Sequence, residues 1–158
     1  MSQQDLDFLR RAIALAAQAG ERGDEPFASL LVDSNGEILL ETQNTTNTAT
    51  DCTGHAETNL VREACRRFGA ERLRECTLYT SAEPCAMCAG AIFKCGIPRV
   101  VFSVSSKRLY DVLGDDENRL DLSCREVFAR GARPVAVDGP LLEEEGLAVF
   151  QGRGQTTL

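Results

Sequence analysis

The chain has 158 residues, 43% hydrophobic and 26% charged, the balance of a globular domain long enough to bury a core. Its net charge of −7 argues against a phosphate-rich partner, because nucleic-acid binding rests on lysine and arginine neutralising the backbone. No apolar run approaches the roughly 18 residues that span a bilayer, so neither nucleic acid nor membrane is an expected partner.

The opening "MSQQDLDFLRR" lacks the basic and then apolar pattern of a signal peptide, which makes a cytoplasmic protein the expectation. Leu6, Leu9, Ile13 and Ala16 recur at helical spacing, and Gly20 is expected to stop that helix. "FASLLVD" and "EILLETQ" read as strands, and "DSNG" between them is the turn of an antiparallel hairpin. Polar residues 44–54 read as a loop. Leu60, Val61, Ala64, Cys65 and Phe68 line one face of the next helix, which Gly69 ends.

"CTLYTS" is a strand, and Pro84 suits the first position of a helix running to about Gly96. "RVVFSV" is a nearly continuous apolar run, the mark of a buried strand. Residues 105–122, acidic at "LGDDEN", are expected to be mostly loop. "SCREVFARG" is a helix opened by a capping box from Ser123 to Glu126, and "PVAVD" is a short strand. "PLLEEEGLAVF" is a last helix starting at Pro140, with acids in its first turn where the helix dipole favours them. Residues 1–151 are expected to form one domain and 152–158 a flexible tail. The order α-β-β-α-β-α-β-α-β-α predicts an α/β fold, a mixed sheet with helices on both faces.

Seven cysteines, an odd number without a secretory signal, argue against a disulfide framework. Cys52, Cys65, Cys76, Cys95 and Cys124 are scattered, and burial as small hydrophobes is their default. Only Cys85 and Cys88, in "EPCAMC", have informative spacing. They fall in the first turn of a helix on one face, where unpaired N–H groups favour thiolates. Alone, such a pair could be half a zinc site, a redox pair or two buried small residues. His55, the one histidine, also falls at a helix start and comes as His-x-Glu with Glu57. Together with Pro-Cys-x-x-Cys this is the pattern of zinc deaminases. One nitrogen and two thiolates leave the fourth zinc position open for water, whose pKa falls from about 15.7 toward 7. The resulting zinc-bound hydroxide can attack a ring carbon bearing an amino group. A carboxylate shuttling protons serves both the ring nitrogen and the departing ammonia.

In "PFASLLVD", "QN…TGHAE" and "LYTSAEPCAMCAGAIF" the chain resembles the cytidine deaminase-like superfamily, in its branch of guanine and cytosine base deaminases and tRNA adenosine deaminases. The resemblance covers most of residues 5–150. It implies a three-layer α-β-α sandwich around a five-stranded mixed sheet, a homodimer, and one Zn2+ per chain on His55, Cys85 and Cys88, with Glu57 as proton shuttle. It also implies that Asn44 hydrogen-bonds the base, that Phe27 packs on its ring, and that backbone groups at Ala56 and Cys85 help hold it. There are departures. "DCTGHAE" stands where the family often has "DPTAHAE", and Cys52 as a fourth ligand would close the metal site. Phe150 is the last aromatic residue, with no evident pocket cap after it. Asp115 and Asp116 read either as contacts to an amino or imino edge of the base or as solvated loop acids.

The expected function is a zinc-dependent aminohydrolase acting on a small-molecule nucleobase or related amino-heterocycle of the guanine or cytosine class. The alternatives are a tRNA adenosine deaminase, against which the net charge counts, and a non-catalytic zinc-stabilised binding module, which requires four protein ligands.

Overall fold

The computed structural model describes residues 1–114 and 116–151. Helix α1 (Gln3–Arg22) leads into the hairpin β1 (Ala28–Val32) and β2 (Ile38–Gln43). Then come α2 (Ala56–Arg67), α3 (Ala70–Leu73), β3 (Thr77–Ala82), α4 (Ala86–Cys95), β4 (Arg99–Val104), α5 (Ser106–Leu113), α6 (Cys124–Ala129), β5 (Ala136–Asp138) and α7 (Glu143–Ala148). The sheet order is β2-β1-β3-β4-β5. β1 is antiparallel to β2 and β3, whereas β3, β4 and β5 run parallel, so the sheet is mixed.

Strand alternation builds the layers. Leu30 and Val32 of β1 face Leu9, Ala12 and Ala16 of α1, with Tyr79 and Val101 beside them. Leu31 turns to the other face and meets Leu60 and Ala64 of α2, Ala89 and Ile92 of α4, and Phe128 of α6. α7 packs beside α1 against β4. The result is the expected three-layer sandwich, with α1 and α7 on one face and α2, α4 and α6 on the other. A third apolar cluster of Ala82, Val104, Leu109, Leu147 and Phe150 closes the end where β3 and β4 finish.

Several boundaries differ from the sequence reading. α1 runs through Gly20 and ends at Gly23, whose φ of 101° is left-handed. A glycine inside a helix costs about 1 kcal/mol relative to alanine. Gly20 is tolerated there, while the termination itself needs the conformation that Gly23 adopts. Gly69 opens the short α3 after α2 has ended at Phe68, and Cys65, though largely exposed, meets Cys95 Sγ of α4 at 3.4 Å. α4 is capped by Cys85 in extended conformation, so Pro84 precedes the helix instead of starting it. α7 begins at Glu143, and Pro140 lies in the turn before it. The segment 105–122, expected to be mostly loop, contains α5. Ser105 caps that helix by accepting from the Arg108 N–H, and Glu83 and Glu143 accept from the N–H groups of Ser106 and Ser105. The tail expected at 152–158 lies outside the described residues. No helix among those described is long and apolar enough to cross a membrane.

Asp5 fastens the start of α1 to the sheet. Its carboxylate accepts from Tyr79 Oη at 2.6 Å and Arg99 Nη1 at 3.0 Å, and also from Ser2. Arg99 reaches on to Asp138 at 2.8 Å. Burial pushes the Asp5 carboxyl up, but Arg99, Ser2 and Tyr79 outweigh it and hold it well below its ordinary 3.8. A carboxyl depressed on folding stabilises the fold above its unfolded pKa and loses that contribution as the pH falls. Asp5→Asn is therefore expected to lower unfolding stability by about 2 kcal/mol at pH 7, measured by urea denaturation. The gap to the parent protein should shrink as the pH drops below 3.8. Equal stabilities at pH 7 would rule out the role of this network.

Candidate active site

The starts of α2 and α4 converge at the end of the sheet where β3 and β4 finish and β1 begins. The loop 44–54 delivers the first of them. Asp24, buried, accepts from the N–H groups of Asn47 and Thr48, from Thr48 Oγ1 at 2.8 Å and from Arg22 Nε at 2.8 Å, so the loop is pinned to the end of α1. Asn59 of α2 donates back to the Gln43 carbonyl and to Thr45 Oγ1, each at 3.0 Å. Gly54 lies where these strands of chain touch. A Cβ there would stand 2.9 Å from Thr45 Oγ1 and 3.0 Å from the Asp51 carbonyl, which accounts for glycine just before His55.

His55 and Cys85 are the N-cap residues of α2 and α4, both extended and neither making a side-chain capping bond. Their side chains face each other instead. Nδ1 of His55 lies 3.6 Å from Cys85 Sγ and 3.5 Å from Cys88 Sγ. All three ligand atoms lie within 4.8 Å of one another. Bond lengths of about 2.3 Å to sulfur and 2.0–2.1 Å to nitrogen give a tetrahedral N···S edge of about 3.6 Å. The cluster thus has the span and the donor chemistry to hold one zinc ion. Cys52 is exposed and outside this group, so it closes no fourth position.

Without an ion, only one of the three ligands is already poised as an anion. Hydrogen bonding from Cys88 offsets the effect of burial and, with His55, brings the Cys85 thiol down to about 4. Contact with Cys85 raises His55 to about 9 against the opposing effect of burial. Cys88 is pushed up by Cys85, burial and Glu57, so without an ion this sulfur keeps its proton. Metal binding releases such protons.

Glu57 follows in the first turn of α2 and is 6% exposed. Thr80 Oγ1 donates to its Oε1 at 2.7 Å, and Ser29 Oγ donates to Thr80 in turn at 3.0 Å. Cys88 Sγ lies 3.5 Å from Oε2. The carboxylate is thus held by one oxygen with the other turned to the cluster, and burial raises its pKa. Ala56 is the first residue of α2, so its N–H has no partner within the helix.

The other anticipated residues fall around this centre. Asn44 is buried, and its Oδ1 accepts from the Thr46 N–H and Oγ1. Its Nδ2 points to Glu25 Oε2 at 3.4 Å. Phe27 packs on Phe150 with ring centroids 5.5 Å apart, so the chain's last aromatic residue reaches this end of the sheet. Asp116 accepts from the Asn118 N–H at 2.9 Å, a turn contact, yet its charge also acts on Glu25 and Tyr110. Asp115 lies outside the described residues.

Sequence reasoning missed Glu25, Thr80, Glu83 and Tyr110. The signal for Thr80 was present, because "TLYTSA" places hydroxyls in an otherwise apolar strand. Glu83 accepts from the N–H groups of Ser106 and Cys124 and so ties α5 and α6 to the start of α4. Tyr110, under the Arg119 guanidinium at 4.1 Å, was hidden by the unrecognised α5. Clefts of about 470 and 230 Å³ open at the other end of the sheet, around Arg72 and Arg99, with no cluster residue in their walls.

The cytidine and deoxycytidylate deaminase zinc-binding region matches residues 2–104, and the chain belongs to that family. It is 36% identical over 154 residues to the probable cytosine deaminase of Schizosaccharomyces pombe, covering 96% of this chain and 93% of that protein. It is 45% identical over 96 residues to the guanine deaminase of Bacillus subtilis, covering 60% of each, so that match spans less than two thirds of the relative. A solved structure from studies of A-to-I editing by tRNA:A34 deaminases superposes with a TM-score of 0.74 at 30% identity, over 91% of this chain and 99% of that one.

Elemental analysis should find one zinc per chain, unchanged in Cys52→Ala and far below one in Cys88→Ala. Chelation should lower the melting temperature of the parent protein, because ion binding to the folded state is folding free energy. Full zinc content in Cys88→Ala would move the metal elsewhere.

Proposed function

We propose that the chain is a zinc-dependent hydrolytic deaminase of a free nucleobase or closely related amino-heterocycle of the guanine or cytosine class. The observation that carries this reading is Glu57, a buried carboxylate fixed by Thr80 beside a three-ligand cluster. A binding module would need a fourth protein ligand, and Cys52 is exposed away from the cluster.

Deamination forms a C–O bond and breaks a C–N bond, with water supplying the oxygen and ammonia leaving. His55, Cys85 and Cys88 would hold the zinc, which would supply the Lewis acidity that makes water acidic near neutral pH. Glu57 takes a proton from the attacking water and delivers it to the ring nitrogen beside the reacting carbon. It then carries the remaining hydroxyl proton to the amine, which departs as ammonia. The Thr80 bond fixes Oε1, so Oε2 does the shuttling with little reorganisation. Asn44, Phe27 and the Ala56 N–H bind the base in this reading, with Phe150 behind Phe27. The reading includes a homodimer, the assembly that the family resemblance implies.

The cytosine deaminase relative, aligned over nearly the whole of both chains, supports the free-base reading. The tRNA adenosine deaminase reading has the 30% identical structural neighbour in its favour, and the net charge of −7 weighs against it.

Zinc-loaded protein should release ammonia from guanine or cytosine and show no salt-sensitive tRNA binding. Ammonia from no base would sink the proposal, and strong tRNA binding would favour the second reading. Glu57→Gln should keep its zinc while losing at least about 1,000-fold in kcat, in the range of general acid–base contributions. Thr80→Val should keep zinc and lower kcat by roughly tenfold, the cost of a mispositioned shuttle. Parent-like turnover in either variant would remove its assigned role.

A further inference from the structure

Glu25 is an acid that neither the fold nor the chemistry above employs. It stands in the turn between α1 and β1, at the same end of the sheet as the cluster, and is half-buried. The neighbouring acids are well partnered: Asp24 has Arg22 and three donors from the loop, and Glu83 has two backbone N–H groups. Among the described residues Glu25 makes no ion pair, and its carboxylate accepts one long bond, from Asn44 at 3.4 Å. Yet its charge and that of His55 act on each other, which places it beside the candidate metal ligands. A half-buried carboxylate with one weak partner has acceptor capacity to spare for a ligand donor.

Asn44 sets the complementary half. Its Oδ1 is committed to the Thr46 N–H and hydroxyl, which fixes the amide and leaves Nδ2 as the side facing Glu25. An amide nitrogen has two hydrogens, and Glu25 takes one. Side by side, then, stand an acceptor and a donor. The ring edge that matches them is a cyclic amide, whose N–H donates to Glu25 and whose C=O accepts from Asn44. Free guanine and free cytosine carry such an edge. Adenine has no ring carbonyl, and cytosine in a nucleoside has lost its N1–H to the sugar.

We propose that Glu25 is a specificity-determining residue that, with Asn44, reads the N–H and C=O of a cyclic amide, so that the substrate class is a lactam-bearing base. The assignment rests on the deaminase reading of the same site, and binding and turnover separate the two.

The test uses zinc-loaded protein carrying Glu57→Gln, so that binding is measured without turnover. Dissociation constants are determined by calorimetry for guanine and cytosine and for their 1-methyl derivatives, which lack the N–H. At least one base should bind about 10- to 100-fold more tightly than its methylated form, the discrimination a charged hydrogen bond supplies. Adding Glu25→Gln should shrink that ratio, and Glu25→Met, of similar volume but without an acceptor, should bring it within about threefold of unity. Melting temperature and zinc content check that each variant is folded. Should Met unfold the chain, the Gln variant alone decides. An unchanged ratio, or no preference for the N–H form at the outset, overturns the inference. Ammonia release by protein with native Glu57 judges the enzyme reading independently. Glu25-dependent binding without ammonia keeps this inference and ends the deaminase reading, whereas turnover indifferent to Glu25 does the reverse.

Discussion

The geometry of this protein depends on two helices that begin at the same point without capping themselves. α1, α5 and α6 each start on a serine whose hydroxyl accepts a bond from the first turn. α2 and α4 start on His55 and Cys85, whose side chains make no such bond because they are turned toward each other. A missing cap costs about 1 kcal/mol per helix. The orphan N–H groups and positive dipole ends left behind favour anions, so the same choice that weakens the helix starts makes the meeting point a place for thiolates and for Glu57. An ion binding there returns stability to both helices at once.

The rest of the fold can be understood as holding that meeting point still. β3 lies at the centre of the sheet and ends beneath it. Its apolar residues face the two cores, and Thr80 breaks the pattern to hold Glu57. Ser29 of β1, directly across the ladder, supports Thr80 in turn. Such a chain of hydroxyls is tolerable inside a sheet only because every member is bonded. On the far side, Asp24 and Asn59 clamp the loop 44–54 between α1 and α2, so the position of His55 is set by three elements rather than by the loop alone.

What could be read beforehand follows from the range of the interactions. His-x-Glu and Pro-Cys-x-x-Cys are local patterns, and the layers follow from strands and helices whose apolar spacing is strong. α5 escaped because "SKRLYDVL" buries Leu109 while leaving Val112 exposed, and because its start is fixed by Glu83 and Glu143, far away in sequence. Gly20 and Gly23 are alike as letters, and only the backbone distinguishes the one that terminates the helix. Phe150 showed only as the last aromatic residue, and its packing on Phe27 is a long-range contact that no local pattern carries. Glu25 carries no motif, and its meaning lies in its place beside Asn44 with no ion pair among the described residues.

An apolar cluster with Phe27, Leu109, Leu113 and Phe150 and an acidic pair, Glu25 and Asp116, both lie at this end of the sheet. A flat ring can stack on the first while presenting polar N–H groups to the second. A phosphate near Glu25 and Asp116 meets like charge instead, in a chain whose net charge is already −7. In an interior of low effective dielectric that repulsion acts over several ångströms with little screening. Burial raises the Glu25 pKa, and Asp116 adds to it against the opposing pull of His55. A ligand that brings hydrogen-bond donors and no phosphate relieves both, which is the physical ground on which the proposed reading prefers a neutral heterocycle with a donor edge.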